Sequence, residues 1–240
     1  MNGKRPFPLR AARALYRVVT DRNYRIAGWL RLMRSQATFQ PYNFTGSNRY
    51  PRIFRFVQSE LGRDAQARIL SFGCSTGEEV FSLRGYFPRA VIKGIDLSGG
   101  NIAVCRRRLR LRRKPDPGIT FETVGSTSGE ASSSYDAIFC MAVLRHGELA
   151  RPGVERCDHL IRFEDFAAAV ADFARCLKPG GLLIIRHSNF RLCDAPAGAN
   201  FETILRVEGA AQKGVPLFGP DNRLLSGVSY FDTVFRKKPA

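Results

Sequence analysis

A glycine-rich turn at residues 73–77 is the part of this sequence whose residue types best suit chemistry. The apolar run at 69–72 leads into Gly73-Cys74-Ser75-Thr76-Gly77, and a helical segment follows. Small residues let a ligand approach the backbone, and N–H groups at the start of a helix meet polar ligand groups. The same letters also fit the G-x-S-x-G nucleophile elbow, in which Ser75 would attack an ester carbonyl. The turn therefore predicts either a nucleoside site or a serine hydrolase.

Asp96 favours the nucleoside site. It ends the next apolar run and lies 19 residues after Gly77, where nucleotide-binding sheets carry an acid for the ribose hydroxyls. A hydrolase needs several strands before its elbow, but the residues before 68 are Arg-rich and helical in pattern. The glycine and lysine spacings of dinucleotide and triphosphate sites are absent. An adenosyl ligand without phosphates would need no lysine there.

Alternating hydropathy patterns predict the strands and helices that position these residues. Short apolar runs alternate with amphipathic segments, which predicts a mostly parallel sheet with helices on both faces. Strands are predicted at 69–72, 90–95, 119–124, 135–141 and 182–186, helices at 79–86, 101–113 and 163–177, and an antiparallel strand within 226–237. We expect a three-layer α/β sandwich with a seven-stranded, Rossmann-like sheet. The domain would span 61–240, after a basic helical extension at 1–60.

Four segments of this pattern resemble the class I S-adenosylmethionine-dependent methyltransferases. They are ILSFGCSTGEE, GIDLSGGNIAVCRRR, YDAIFCMAVL and LKPGGLLII, in the family's order between about residues 66 and 190. Two of them, CSTGEE and DAIFC, are most similar to the chemotaxis receptor methyltransferases, which esterify glutamate side chains. Met141-Ala142 replace the Arg-Asn of that branch, however. The resemblance implies S-adenosylmethionine as cofactor and leaves the methyl acceptor unidentified.

The resemblance also implies roles for individual residues. The turn would line the methionine part, Asp96 would hold the ribose, and an acid common in the first strand is replaced by Ser71. The full cofactor set is Gly73, Cys74, Ser75, Gly77, Glu78, Asp96, Leu97, Ser126, Thr127 and Cys140, with Leu97 against adenine and 126–127 near its amino group. On the acceptor side we expect His146 as a base or orienting group and Arg145 as an anchor for an anionic substrate.

The net charge of +17 is concentrated in two segments. Residues 1–34 carry nine Lys or Arg against one acid, and residues 106–114 carry seven and no acid. Nucleic acid, an anionic membrane surface or an acidic protein would suit residues 4–34 and 106–114, as would a solvated basic surface. A catalytically silent Rossmann-like protein, whose basic arm docks a polyanion or a protein partner, is therefore the alternative to an active methyltransferase.

The spacing of the cysteines and the length of the apolar runs indicate the cellular compartment and whether a metal site is expected. The six cysteines lie 17 to 35 residues apart without a CxxC pair, so we expect neither disulfides nor a zinc site. No apolar run approaches the ~20 residues of a membrane-spanning helix. We expect a cytoplasmic protein.

Overall fold

The computed structural model describes residue 39, residues 46–209 and residues 215–239. Most of the proposed basic extension lies outside these residues, and its predicted helix and charge are therefore not tested. Residues 46–50 form a short loop that leads into helix α1 (Pro51–Leu61), most of which falls within the extension predicted to be helical. Helix α1 buries Ile53, Phe54 and Val57. It thereby joins the upstream segment to the core of the domain.

Seven strands form one sheet in the order β3-β2-β1-β4-β5-β7-β6. Their bounds are β1 (Arg68–Phe72), β2 (Val91–Asp96), β3 (Ile119–Thr123), β4 (Tyr135–Met141), β5 (Leu177–Arg186), β6 (Phe201–Arg206) and β7 (Asp232–Lys237). The first five strands pair in parallel, and β7 lies antiparallel between β5 and β6. The predicted Rossmann-like sheet is confirmed. Its strand order changes direction next to β1, where such sheets bind ligands.

Helices cover both faces of the sheet, which gives the predicted three layers. Besides α1 they are α2 (Glu78–Tyr86), α3 (Gly99–Arg110) and α4 (Phe163–Cys176). Successive β1 side chains point to opposite faces: Ile69 belongs to the core that includes residues of α1–α3, and Leu70 to the core that includes residues of α4. The described helices are too short and too polar to cross a membrane.

Strands β5 and β6 differ from what the sequence predicted. Strand β5 begins at Leu177 rather than at residue 182, because the Lys-Pro-Gly-Gly stretch continues in the sheet after ending the helix. Strand β6 had no readable pattern in the sequence, since its outer positions are exposed and its register with β7 is irregular. No α-helix joins β3 to β4 or β5 to β6 within the described residues.

Candidate functional site

The turn after β1 is held in a conformation that suits close approach to the backbone. Gly73 and Gly77 have φ of +70° and +90°, and Ser75, which is not a glycine, has φ of +50°. The Cys74 N–H donates to the Ile95 carbonyl at 2.9 Å, which ties the turn to the end of β2. A Cβ at residue 73 would collide with the side chain of Val143. Glycine is therefore required there by both torsion and space.

Asp96 lies in direct contact with this turn. Its Oδ2 accepts the Ser75 N–H at 2.8 Å, and its Oδ1 accepts the Ser98 N–H at 2.9 Å and the Asn101 Nδ2 at 3.1 Å. Burial raises the pKa of Asp96, and these hydrogen bonds oppose that rise. A carboxylate offers about four acceptor positions. One position on Oδ2 thus remains for a hydroxyl, as far as the described residues go.

The two glutamates at the start of α2 have different surroundings. Glu78 pairs with Arg108 at 2.5 Å and accepts the Thr76 hydroxyl at 2.7 Å. Burial alone would raise the pKa of Glu78, but these bonds and the Arg108 charge hold it below its usual value. Its carboxylate therefore binds α3, whereas the sequence placed it near the methionine part. The adjacent Glu79 faces the turn and accepts the Ser71 hydroxyl at 2.7 Å.

A cleft opens above the turn, and the empty space of about 420 Å³ there includes the part that is open to solvent. Its floor contains Gly73, Cys74 and Ser75, and Glu79 and Met141 line its sides, together with Gly46, Arg49, Tyr50, Phe54 and Ser82. The Ser75 hydroxyl is buried and has no hydrogen-bond partner among the described residues. Arg49 and Tyr50 fall within the extension predicted at 1–60 but line this cleft.

Ser126 and Thr127 border a second cavity, of about 650 Å³. Its apolar wall includes Phe72 and Phe173. Ser126 is exposed, and the hydroxyl of Thr127 is buried without a partner in the part of the chain that the structure describes. The buried hydroxyls at residues 75 and 127 therefore lie on two separate cavities, near the carboxyl ends of β1 and β3.

Three other predicted residues have less direct access to a ligand. Cys140 is fully buried in the core, and the following Met141 lines the cleft instead. Leu97 is half-buried directly after β2. His146 is buried and caps the short 3-10 helix Gly147–Ala150, because its Nδ1 accepts the Glu148 N–H at 3.3 Å. A role for His146 as a base stays a prediction.

Glu79 gives a pH-dependent prediction. Burial raises the pKa of Glu79 from 4.5 to about 7, so the folded protein keeps a proton that the unfolded chain releases between these values. The free energy of unfolding therefore loses a contribution as the pH rises from 4.5 to 7. Glu79→Gln still accepts the Ser71 hydroxyl and removes this loss. We expect the variant to be more stable than the parent at pH 8 by about 1–3 kcal/mol, and similar at pH 4.5.

Urea unfolding at both pH values measures this difference. Glu202→Gln, at an exposed position of β6, is the matched control and should give equal shifts at the two pH values. A Glu79→Gln variant that is no more stable than the parent at pH 8 would contradict the buried, proton-holding environment.

The basic segment at 106–114 is partly engaged inside the domain. Arg106 donates to the Phe121 carbonyl at 2.8 Å, and Arg108 binds Glu78 and lies 5.0 Å over the Phe81 ring. The Arg112 guanidinium lies 5.4 Å from the same ring. Part of the positive charge therefore holds α3 against α2 and β3. An anionic partner for this segment stays a prediction.

The cysteines are all free, and five of the six are buried. No group of three potential metal ligands occurs within residues 46–209 and 215–239 or at residue 39.

Residues 70–185 match the family model described as a methyltransferase domain. A trans-aconitate 2-methyltransferase from Methylobacterium nodulans is 30% identical over 51% of this chain and 38% of its own length. Another, from Deinococcus radiodurans, is 26% identical over 63% of this chain and 55% of its own. The chain thus spans about half or less of these curated relatives. A solved Haemonchus contortus phosphoethanolamine N-methyltransferase 2 with S-adenosyl-L-methionine has 17% identity and a TM-score of 0.44, over 71% of this chain and 33% of that one.

Proposed function

We propose that this chain, whose residues 70–185 match the methyltransferase-domain model, is a class I S-adenosylmethionine-dependent methyltransferase and transfers the methyl group of S-adenosylmethionine to an acceptor bound beside the 73–77 turn. The observation that carries this proposal is the contact between Asp96 and the Ser75 N–H at 2.8 Å. It places a carboxylate and a glycine-rich turn at the carboxyl ends of adjacent strands. A ribose hydroxyl and a methionine group could therefore be bound side by side.

The residues present suit this cofactor. The buried, unpartnered hydroxyls of Ser75 and Thr127 would gain hydrogen bonds from a ligand that spans both cavities. Asp96 would accept from the ribose, and Glu79 would place an acid near the positive sulfonium or amino group, whose charge would favour the ionised form of Glu79. Glu79 thereby supplies the acid that the resemblance leads us to expect in the first strand, where Ser71 stands and donates to it.

Methyl transfer requires alignment more than acid–base chemistry. When bound, S-adenosylmethionine supplies a methyl carbon to which the acceptor's lone pair bonds as the carbon–sulfur bond breaks, and the sulfur keeps that electron pair. The protein's part is to orient the acceptor in line and to exclude water. Gly73 and Met141 both line the cleft, and the Met141 side chain gives it an apolar surface.

Calorimetric titration tests the proposal. S-adenosylmethionine and S-adenosylhomocysteine should bind the folded protein with dissociation constants on the order of micromolar, and ATP should not. Radioactive methyl from S-adenosylmethionine then reports turnover with a panel of acceptors. Absence of binding to folded protein would overturn the proposal, and binding without transfer to any acceptor would favour the silent binding protein.

A further inference from the structure

Besides the hydroxyls of Ser75 and Thr127, three buried polar atoms have no hydrogen-bond partner within the described part of the chain. They are the Tyr50 hydroxyl, the Arg145 Nε and the His187 Nδ1. They come from the residue before α1, the loop after β4 and the residue after β5. Buried polar groups in folded proteins are nearly always paired. Three unpaired atoms from three segments therefore indicate a ligand that pairs them.

The three side chains lie in one place. The ring centroids of Tyr50 and His187 are 5.9 Å apart. The Asn189 N–H donates to the Leu144 carbonyl at 2.9 Å, and the Asn189 Oδ1 accepts the His146 N–H at 2.7 Å, so the loop that carries Arg145 is held beside the segment that follows His187. Tyr50 also lines the cleft above the 73–77 turn. The cluster formed by residues 50, 145 and 187 is therefore next to the proposed cofactor site.

The backbone torsions of the residues that follow β4 and β5 support a functional role for this cluster. His187 has φ of +56° and Ala142 has φ of +60°. Non-glycine residues are uncommon in this left-handed region, and such strain concentrates at functional sites. Residue 187 follows β5 and residue 142 follows β4, and His187 is only 5% exposed. The His187 ring is thus fixed beside Tyr50 at some cost in backbone strain.

The cluster provides hydrogen-bond donors in a positive environment. Burial and the charges of Arg186, Arg145 and Arg49 lower the pKa of His187 to about 4, so its ring is neutral at pH 7. Burial raises the pKa of Tyr50, whose hydroxyl therefore keeps its proton. Arg186 donates to the Val207 carbonyl and to Thr233. Arg145 forms no salt bridge with any residue that the structure describes.

The acid that faces this cluster does not neutralise it. Glu79 acts on the pKa of Tyr50, but its carboxylate accepts from Ser71 and holds its proton up to about pH 7. Uncompensated positive charge, the two donors on Tyr50 and Arg145, and a neutral His187 ring whose Nδ1 donates in its Nδ1–H tautomer together favour an anionic ligand.

We propose that Tyr50, Arg145 and His187 form the methyl-acceptor subsite and hold a carboxylate of a small organic acid, an inference that rests on the proposed function. A carboxylate offers about four acceptor positions, which is enough for all three donors. It brings a single charge into a partly buried place. A phosphate would bring a second charge, with a larger loss of hydration.

Binding of organic acids to the S-adenosylhomocysteine-saturated protein tests this subsite. The probes are trans-aconitate, citrate, glutarate and benzoate, with trimethyl trans-aconitate as the uncharged twin and inorganic phosphate as the other anion. At least one acid should bind by calorimetry, at least tenfold more tightly than the triester or phosphate. Tyr50→Phe and Arg145→Met should each weaken that acid by about tenfold or more.

Matched variants separate recognition from folding. Tyr86 packs on Phe54, as Tyr50 does, and its hydroxyl donates to Asn48. Tyr86→Phe and Arg151→Gln, the latter at an exposed position in the loop after β4, should change acid affinity less than twofold. Tyr50→Phe removes a hydroxyl that lacks a partner, so its melting temperature should equal or exceed that of the parent. His187→Asn tolerates the left-handed torsion and should weaken the acid as well.

The outcomes distinguish this inference from the proposed function. S-adenosylhomocysteine affinity is measured first in every variant and should stay within a few-fold of the parent. If the cofactor product binds but no acid does, or if phosphate or the triester binds as well as the best acid, the carboxylate subsite is wrong. It is also wrong if Tyr50→Phe and Arg145→Met leave acid binding unchanged. If S-adenosylhomocysteine itself fails to bind the parent, the proposed function fails and takes the subsite with it.

Discussion

Asp96→Asn should weaken S-adenosylmethionine binding by about 10- to 100-fold, because a hydrogen bond to a charged group contributes about 1.5–3 kcal/mol. The parent carboxylate accepts from Ser75, Ser98 and Asn101, and an amide cannot accept on both sides. One N–H of the turn or of the α3 start would then face an NH₂ group. The variant therefore loses both a contact to the ribose and part of the support of the turn.

Calorimetry with S-adenosylmethionine and urea unfolding measure these two effects separately. Asp116→Asn is the matched control, because Asp116 is a partly buried carboxylate that binds Arg84 at 2.9 Å just before the amino end of β3, whereas Asp96 lies at the carboxyl end of β2. It should lower the free energy of unfolding without changing cofactor affinity. If the parent and Asp96→Asn bound the cofactor with equal affinity, the assignment of Asp96 to the ribose would be wrong.

Gly73→Ala should destabilise the protein by about 2–5 kcal/mol, since a left-handed alanine costs about 1–2 kcal/mol and overpacking adds about 1–3 kcal/mol. The added methyl carbon would meet the Val143 side chain, with Cγ1 at 3.0 Å and Cγ2 closer still. Relieving that contact moves the β1 turn away from the loop after β4. Cofactor binding should fall for the same reason.

Gly153→Ala isolates the torsional part of this effect. Gly153 has φ of +78° with no neighbouring atom within 4 Å of an added methyl, so its variant should lose less than half as much stability as Gly73→Ala. The double variant Gly73→Ala/Val143→Ala should recover most of the overpacking term. If urea unfolding showed that Gly73→Ala and Gly153→Ala lower the free energy of unfolding equally, close packing at the turn would contribute nothing to stability.

Elements with strong local patterns were predicted well from the sequence. Strand β4 was predicted with its observed bounds, and β1 and helix α4 differ by one residue at one end. These segments are apolar on the faces that they bury, so period and length alone identify them. Strand β6 was missed because only Phe201 within it is buried. Its pairing is set by β7, some 30 residues later, and local pattern does not encode that contact.

The site residues likewise divide into those that spacing along the sequence identifies and those that only the folded chain brings together. The turn and Asp96 were paired from the sequence because their spacing along two adjacent strands carries the signal. Glu79 was passed over for Glu78, since the sequence does not reveal that Arg108 binds the first of the two. Tyr50 and His187 lie 137 residues apart in sequence and meet only in the folded chain. The residue types were visible, but their juxtaposition was not.

A crystal structure of the protein with S-adenosylhomocysteine tests the central claim most directly. We expect the thioether sulfur to lie over Gly73 and Ser75, a ribose hydroxyl to bind Asp96 and the purine to point toward Thr127. The space between the sulfur and Tyr50 should be open. A ligand bound on another edge of the sheet, or a side chain filling the space between the turn and Asp96, would contradict it.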